Sequence, residues 1–268
     1  RRQVAEHHRH AVPSRTQRRG GAGNAGAVHR DNGVIVKTLA IIPARGQSKR
    51  IPRKNLRPFL GVPLVARSIG FARALPAFDR VLVSTDDSEI AAVSRRFGAD
   101  VPYLRPAELA TDTSGSAGVA LHVLEQEERA GNRYDMVALL QPTSPIRSPE
   151  RWEAAFRLLE KTACNAVIGV APARNHPFHS FSRDDAGLLH RFVAAADLTL
   201  RTQDLPPAYV VIGNLYLIRA GALREHGTFF PPATASVVCD GPLEALDIDT
   251  EDDWVVAETL ARHYGMTS

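Results

Sequence analysis

From residue 38 onward, short apolar runs alternate with longer stretches whose apolar residues recur at helical spacing. This is the pattern of a parallel sheet covered by helices. The runs are "TLAIIP" (38–43), "RVLVST" (80–85), "DMVALLQ" (135–141), "AVIGVAP" (166–172) and "YVVIGNLYLI" (209–218), each of strand length. Between and after them the spacing predicts helices near 62–75, 87–97, 114–130, 149–160 and 251–263. In the first of these Val65, Ile69 and Ala72 form a stripe, widened by Leu64, Phe71 and Leu75, while Arg67 and Arg73 face elsewhere. Thr250 with Asp253 three residues on makes a capping-box-like start for the last helix, and Glu251 and Asp252 suit its positive end. The stretch 173–208 breaks the alternation; rich in Arg, Asp, His and Pro, it reads as an insertion acting as a lid or subunit contact.

Residues 1–37 form a basic extension with almost no bulky apolar side chains, too little to offset the entropy of ordering, so disorder is expected there. "GAGNAG" (21–26) in this extension matches a dinucleotide-binding glycine pattern, but no strand precedes it and no helix follows. "HHRH" (7–10) lacks nearby partner ligands and reads as solvated tail. Residues 38–268 are read as one α/β domain carrying the inserted segment. With 268 residues, 44% of them hydrophobic, the chain can bury a sizeable core. No apolar run approaches the roughly 20 residues of a membrane span, and the N-terminus has charge without a secretion signal's apolar stretch, so the expected location is cytoplasmic. Cys164 and Cys239 are far apart and form no CxxC, which predicts a pair of buried thiols.

The net charge of +4 suggests nucleic acid until it is placed along the chain. Residues 1–37 carry eight Arg or Lys against Glu6 and Asp31, a net +6, so the remainder of the chain carries −2. A slightly acidic body has no general pull toward a phosphate backbone, and no nucleic-acid partner is expected. The basicity that matters is local. "IIPARGQSKRIPRKNL" (41–56) sets Arg45, Lys49, Arg50, Arg53 and Lys54 within ten positions directly after the first strand. In an open α/β sheet ligands bind at the carboxyl ends of the strands. The single glycine excludes a P-loop; Pro43, Pro52 and Pro58 stiffen the segment, so mutually repelling cations are held together as a polyanion site would need.

A second feature is "DIDTEDDW" (247–254). In an extended backbone Asp247 and Asp249 point to one side and Ile248 to the other, and a carboxylate pair beside phosphates suits Mg²⁺. Three more loops, "STDD" (84–87), "RPAELATDTSGS" (105–116) and "QPTSPIR" (141–147), are each weak alone but fall together at or near strand ends.

These motifs, with "RTQDLPPAY" (201–209), stand in an order and spacing that resembles the CMP-sialic acid synthetases (acylneuraminate cytidylyltransferases) over about 38–263. The resemblance implies a Rossmann-like nucleotidyltransferase fold, a mostly parallel sheet flanked by helices with an inserted dimerisation or lid segment. It implies transfer of CMP from CTP to the anomeric hydroxyl of a keto sugar acid, with release of pyrophosphate. Carried over by position, Arg45, Ser48, Lys49 and Lys54 would hold the triphosphate and Ala44 would also belong to the nucleotide site, with Arg45, Lys49 and Lys54 acting in the chemistry. Asn55, Arg105 and Ser116 would hold the cytidine, Gln141, Arg201 and Tyr216 would line the acceptor side, and Asp247 and Asp249 would bind Mg²⁺. A homodimer is implied as well. No Ser-His or Cys-His nucleophile is evident in the sequence, and nucleotidyl transfer asks for none, needing chiefly positioning and charge neutralisation.

The sequence departs from the family at "VVIGNLY" (210–216), where Val210 and Ile212 occupy positions commonly held by a cation and an amide. Gly213 is kept, Asn214 would have to substitute from a shifted position, and His179 stands where some members place a Lys that reaches the partner's site. An acceptor other than ordinary N-acetylneuraminate is therefore expected, because lost polar contacts change specificity. Alternatives are a transferase for another acid, such as a keto-deoxy sugar acid or a phosphonate, and a non-catalytic nucleotide- or nucleic-acid-binding protein.

Overall fold

The computed structural model describes residues 30–31, 34–111, 115–194 and 199–266. "GAGNAG", "HHRH" and most of the predicted basic extension lie outside them. Arg30–Asp31 and Val34–Ile35 pair as a short antiparallel ladder ahead of the domain.

Six strands form the main sheet: β1 (Thr38–Pro43), β2 (Arg80–Ser84), β3 (Met136–Leu139), β4 (Ala166–Pro172), β5 (Tyr209–Arg219) and β6 (Thr234–Val238). Their order across the sheet is β6-β4-β5-β3-β1-β2. β1 runs parallel to β2 and β3, and β6 parallel to β4, whereas β5 lies antiparallel between β3 and β4. The expected, mostly parallel sheet thus has one reversed strand near its centre. The inserted stretch leads from β4 into it, carrying a small hairpin, Phe181–Arg183 with Leu189–Arg191.

The helices are α1 (Leu64–Ala74), α2 (Ser88–Arg96), α3 (Ser116–Arg129), α4 (Pro149–Lys161), α5 (Ala220–His226) and α6 (Glu251–His263). Local chemistry sets several starts. Asp87 accepts from the amides of Glu89 and Ile90 to cap α2, and Ser148 caps α4 ahead of a proline whose missing N–H costs nothing there. The capping box of Thr250 and Asp253 opens α6 as the sequence predicts. The pattern gave no sign of β6 or α5. "TASVV" is only half-buried, on an edge strand, and α5 spans just seven residues.

Alternation along the strands feeds two layers. Ala40, Ile42 and Val83 pack with Val65, Ile69, Ile90, Trp152 and Phe156 from α1, α2 and α4. Leu39, Ile41 and Leu82 pack on the other face with Val123, Leu124 and Leu223 from α3 and α5. Strands covered on both faces need continuous apolar runs, which is why "TLAIIP" shows no alternation. A third cluster joins Ile51, Phe59 and Leu64 to Ile248, Trp254 and Ala257, fastening α6 to the loop after β1. Both cysteines are buried and unpaired, and burial pushes the Cys239 thiol up to about 11. Among the described residues no helix is long and apolar enough to cross a membrane.

Candidate active site

β1 lies where the winding of the sheet divides, with β2 on one side and β3 on the other, so the loops leaving β1 and β3 open onto a shared crevice. A cleft of about 330 Å³ lies there. Arg45, Ser48, Lys54 and Asn55 line it from the loop after β1, Arg105 and Ser116 from the segment after β2, Gln141 from the end of β3, and Asp247 and Asp249 from the loop before α6. Three cations thus face two carboxylates, a wall suited to a polyanion and its metal ion.

The cationic loop is held open by specific contacts. Gly46 donates its amide to Asp86 Oδ1 at 2.9 Å, and a Cβ there would come within 2.8 Å of the Asp87 side chain. Asn55, buried, donates its Nδ2 to the Arg45 carbonyl at 2.9 Å. Lys54 Nζ reaches the Ile248 carbonyl at 2.8 Å and Asp249 Oδ1 at 3.0 Å. Buried Ile248 anchors its segment in the third cluster and donates its amide to the Thr143 carbonyl, so the flanking aspartates face the cleft as alternation requires. Arg50 adds a weaker contact to Asp249 at 3.4 Å.

Arg105 is buried as well as cleft-lining. Its Nε donates to the Ser84 hydroxyl at 3.0 Å, and its Nη groups donate to the carbonyls of Ser84 and Leu109. It therefore ties "STDD" to the following loop, and burial lowers its pKa. Ser116 is the first residue of α3, where the helix dipole favours negative charge.

Not every expected residue reaches the cleft. Ala44 is buried in the core and spends its amide on the Ser84 carbonyl. Lys49 is exposed on the loop and does not line the cavity. Arg201 lies in the inserted segment, 73% exposed, paired with Asp204 at 2.7 Å. Asn214 does not stand in for the missing amide; it is buried, and its Nδ2 donates to the Glu244 carbonyl at 3.1 Å.

Two further cavities adjoin the cleft. One, of about 280 Å³, shares Ser116 and Gln141 with it and is walled by Tyr216, Phe229 and Phe230. The Tyr216 ring meets those of Phe229 and Phe230 edge-on at 5.7 and 6.2 Å, and burial, then the charge of Asp247, raises its pKa. The phenylalanines were missed because "TFFPP" reads as loop; the available signal was two adjacent aromatics in a chain only 6% aromatic. The other cavity, of about 510 Å³, shares Asp247 and is lined by Val210, Ile212 and Gly213. A cation and an amide do border this groove, but they are Arg174 and Asn175, just beyond the end of β4. Pro142 and Thr143, from the "QPTSPIR" loop, line the first cleft as well, together with Val119, for which the sequence gave no signal.

The profile of the family described as Cytidylyltransferase matches residues 39–221. The CMP-N,N'-diacetyllegionaminic acid synthase of Legionella pneumophila is 36% identical over 225 residues, 84% of this chain and 96% of that protein. The pseudaminic acid cytidylyltransferase of Campylobacter jejuni is 32% identical over the same shares. The N-acylneuraminate cytidylyltransferase of Escherichia coli is 40% identical over 84% of this chain and 52% of its own length. Among solved structures, a CMP:2-keto-3-deoxy-manno-octonic acid synthetase complexed with CTP superposes with a TM-score of 0.64 at 17% identity, covering 85% of this chain and 99% of that one. That likeness shows the fold, a Rossmann-like nucleotidyltransferase, and the sequence matches show the rest: the chain belongs to the cytidylyltransferase family.

Proposed function

We propose that this cytidylyltransferase transfers CMP from CTP to the anomeric hydroxyl of a nonulosonic-type sugar acid other than ordinary N-acetylneuraminate. Family membership makes the chain an enzyme and displaces the non-catalytic reading. The observation that carries the proposal is one cleft flanked by two cavities, one sharing Ser116 and Gln141 with it and the other Asp247. The names of the relatives, which speak of legionaminic, pseudaminic and neuraminic acids, support the acceptor class.

In this reading the acceptor oxygen attacks the α-phosphorus, the bond from that phosphorus to the oxygen bridging the β-phosphate breaks, pyrophosphate leaves with the electron pair, and the hydroxyl proton passes to solvent. Arg45 and Lys54 neutralise charge that moves onto the leaving group, Ser48 offers it a hydroxyl hydrogen bond, and the α3 start faces the nucleotide with its positive end. Lys49 would reach phosphate only if its loop moved inward. Asn55 chiefly holds the loop, leaving its amide oxygen for the nucleoside. Gln141 stands between nucleotide and acceptor, and the Tyr216–Phe229–Phe230 wall offers apolar faces to the sugar's substituents. Arg201, pointing its charge at Asp204, has no part in the site within one chain.

Asp247 and Asp249 fit Mg²⁺. They supply two hard oxygen donors on one side of the chain, and the remaining positions would go to phosphate and water. When bound, the ion would polarise and screen the phosphates. A homodimer accords with the exposed Leu188, Leu189, Phe192, Tyr209, Val210 and Val211, an apolar surface on and beside the inserted segment. Sedimentation of the purified protein checks it, since a monomer at micromolar concentration would contradict this part.

The test of function offers the protein CTP, Mg²⁺ and a panel of legionaminic-, pseudaminic- and neuraminic-type acids, keto-deoxy acids and phosphonates. Pyrophosphate release and a CMP-linked product with a nonulosonic acid are expected. Transfer to a phosphonate alone, or full efficiency with N-acetylneuraminate, would overturn the acceptor assignment.

A further inference from the structure

Arg147 closes the "QPTSPIR" loop and is buried, yet no carboxylate contacts it among the described residues. Its Nη2 donates to the Gln141 carbonyl at 2.6 Å, its Nε to the Asn214 carbonyl at 3.1 Å and its Nη1 to the Ser68 hydroxyl at 3.1 Å. Its guanidinium carbon lies 5.9 Å from the centre of the Phe71 ring. Burial alone draws its pKa down to about 9. A charge withdrawn from water without a counter-charge costs stability, so the contacts it makes need a reason beyond stability.

The place of those contacts supplies one. The ladder between β5 and β3 begins only at Tyr216 opposite Leu139, and the ladder between β5 and β4 shifts register between Val211 and Tyr216. Gly213 and Asn214 therefore leave regular pairing in the middle of the sheet, beside the cleft, where a bulge redirects side chains. Arg147 spans this gap with one planar fork, satisfying a carbonyl of β5 and the carbonyl that follows β3. The Gln141 side chain packs against the same bulge, since a Cβ on Gly213 would come within 2.6 Å of its Oε1 and would also strike the Ser144 hydroxyl. Gln141 in turn lines both the nucleotide cleft and the aromatic cavity.

We propose that Arg147 is a positioning residue for the transfer step, locking the end of β3 to the Gly213–Asn214 bulge and so fixing Gln141 between nucleotide and acceptor. Lysine at 147 keeps the charge but cannot bridge both carbonyls with a rigid fork, so Arg147→Lys separates geometry from charge.

The experiment compares Arg147→Lys, Gln141→Ala and the double variant with the unmodified full chain, using CTP, Mg²⁺ and the acid it turns over. Each single change should lower kcat/KM for the acid by about 10–100-fold and leave KM for CTP within about threefold, and the double should lose no more than the worse single. Losses that multiply, or an Arg147→Lys enzyme within about threefold of the unmodified one, overturn the proposal. This arm rests on the proposed acceptor class, whose own failure would show first as an unmodified protein that turns over no acid of that class. The second arm needs no acid: amide exchange across residues 212–216 should quicken about tenfold in Arg147→Lys while that of β1 is unchanged. Unchanged exchange in 212–216, or an equal rise in β1, overturns the proposal as well.

Discussion

Lys54 and Asp249 lie 195 residues apart in the chain and 3.0 Å apart in space. Their contact joins the cationic loop after β1 to the carboxylate pair before α6, and with Lys54 Nζ also on the Ile248 carbonyl it closes one side of the cleft. The Lys54 side chain is 11% exposed and that of Asp249 43%, so the pair is only partly withdrawn from solvent and contributes little to stability. Lys54→Ala should therefore raise KM for CTP by about tenfold or more while shifting the melting temperature by only a few degrees. Initial rates against CTP and a thermal melt decide it; an unchanged KM would remove Lys54 from the phosphate site.

If Asp249 holds Mg²⁺ as proposed, Asp249→Ala should lower turnover by about 100-fold or more with little loss of stability, because it would remove metal positioning and not packing. Chelation of the unmodified enzyme should abolish transfer, and added Mg²⁺ should restore it. A fully active Asp249→Ala protein, titrated over Mg²⁺, would argue against the assigned metal site.

Phe230, 52% exposed, stacks edge-on against Tyr216 at the aromatic cavity. Phe230→Ala should raise KM for the acid by about tenfold and leave KM for CTP unchanged, a split that separates the two cavities. Equal effects on both substrates would place the aromatic wall on the nucleotide side.

Ile212 lines the groove that shares Asp247 with the cleft, and it packs with Ala171 and Cys239. Ile212→Asn should change the ranking of acceptor acids, at a stability cost of about 1–3 kcal/mol for the amide introduced among apolar neighbours. A competition assay between two acids reads the ranking, and an unchanged ranking and rate would remove the groove from acceptor recognition.

Asp253 accepts hydrogen bonds from the Thr250 hydroxyl and from the amides of Thr250 and Asp249. The Thr250 hydroxyl first, with the amides of Thr250 and Asp249 and the charge of Lys54, holds its pKa below the usual carboxylate value against the opposing effect of burial. A depressed folded pKa contributes stability above the unfolded value, near 3.9, and that contribution is lost as pH falls through the folded value. Asp253→Ala should cost about 1 kcal/mol or less at pH 7 and should flatten the fall in melting temperature below about pH 4. A melt series from pH 7 to 2.5 checks both.

Much of the candidate site's placement was legible because ligands bind at strand-end loops in this architecture, and the loops at 45–55 and 247–249 stand out by composition. Arg45, Ser48 and Lys54 reach the cleft from the first of them and the two aspartates from the second. The expectations at Ala44, Lys49 and Arg201 rest on position in a motif, which does not say which way a backbone amide or a long side chain points. Phe229 and Phe230 were missed for the opposite reason: they matter through Tyr216, which is distant in sequence.

By itself the sequence determined the strands and helices with strong periodicity, the cap at Thr250, and the facing of Asp247 and Asp249. These depend on spacing and on neighbours a few residues away, which the chain carries wherever it folds. Only the tertiary structure decided that β5 runs antiparallel between β3 and β4, that its bulge meets Gln141 and Arg147, and that Arg174 and Asn175 border the groove of Val210 and Ile212. Those outcomes depend on which distant segments the packed core brings together, and no local pattern encodes a contact made across the sheet.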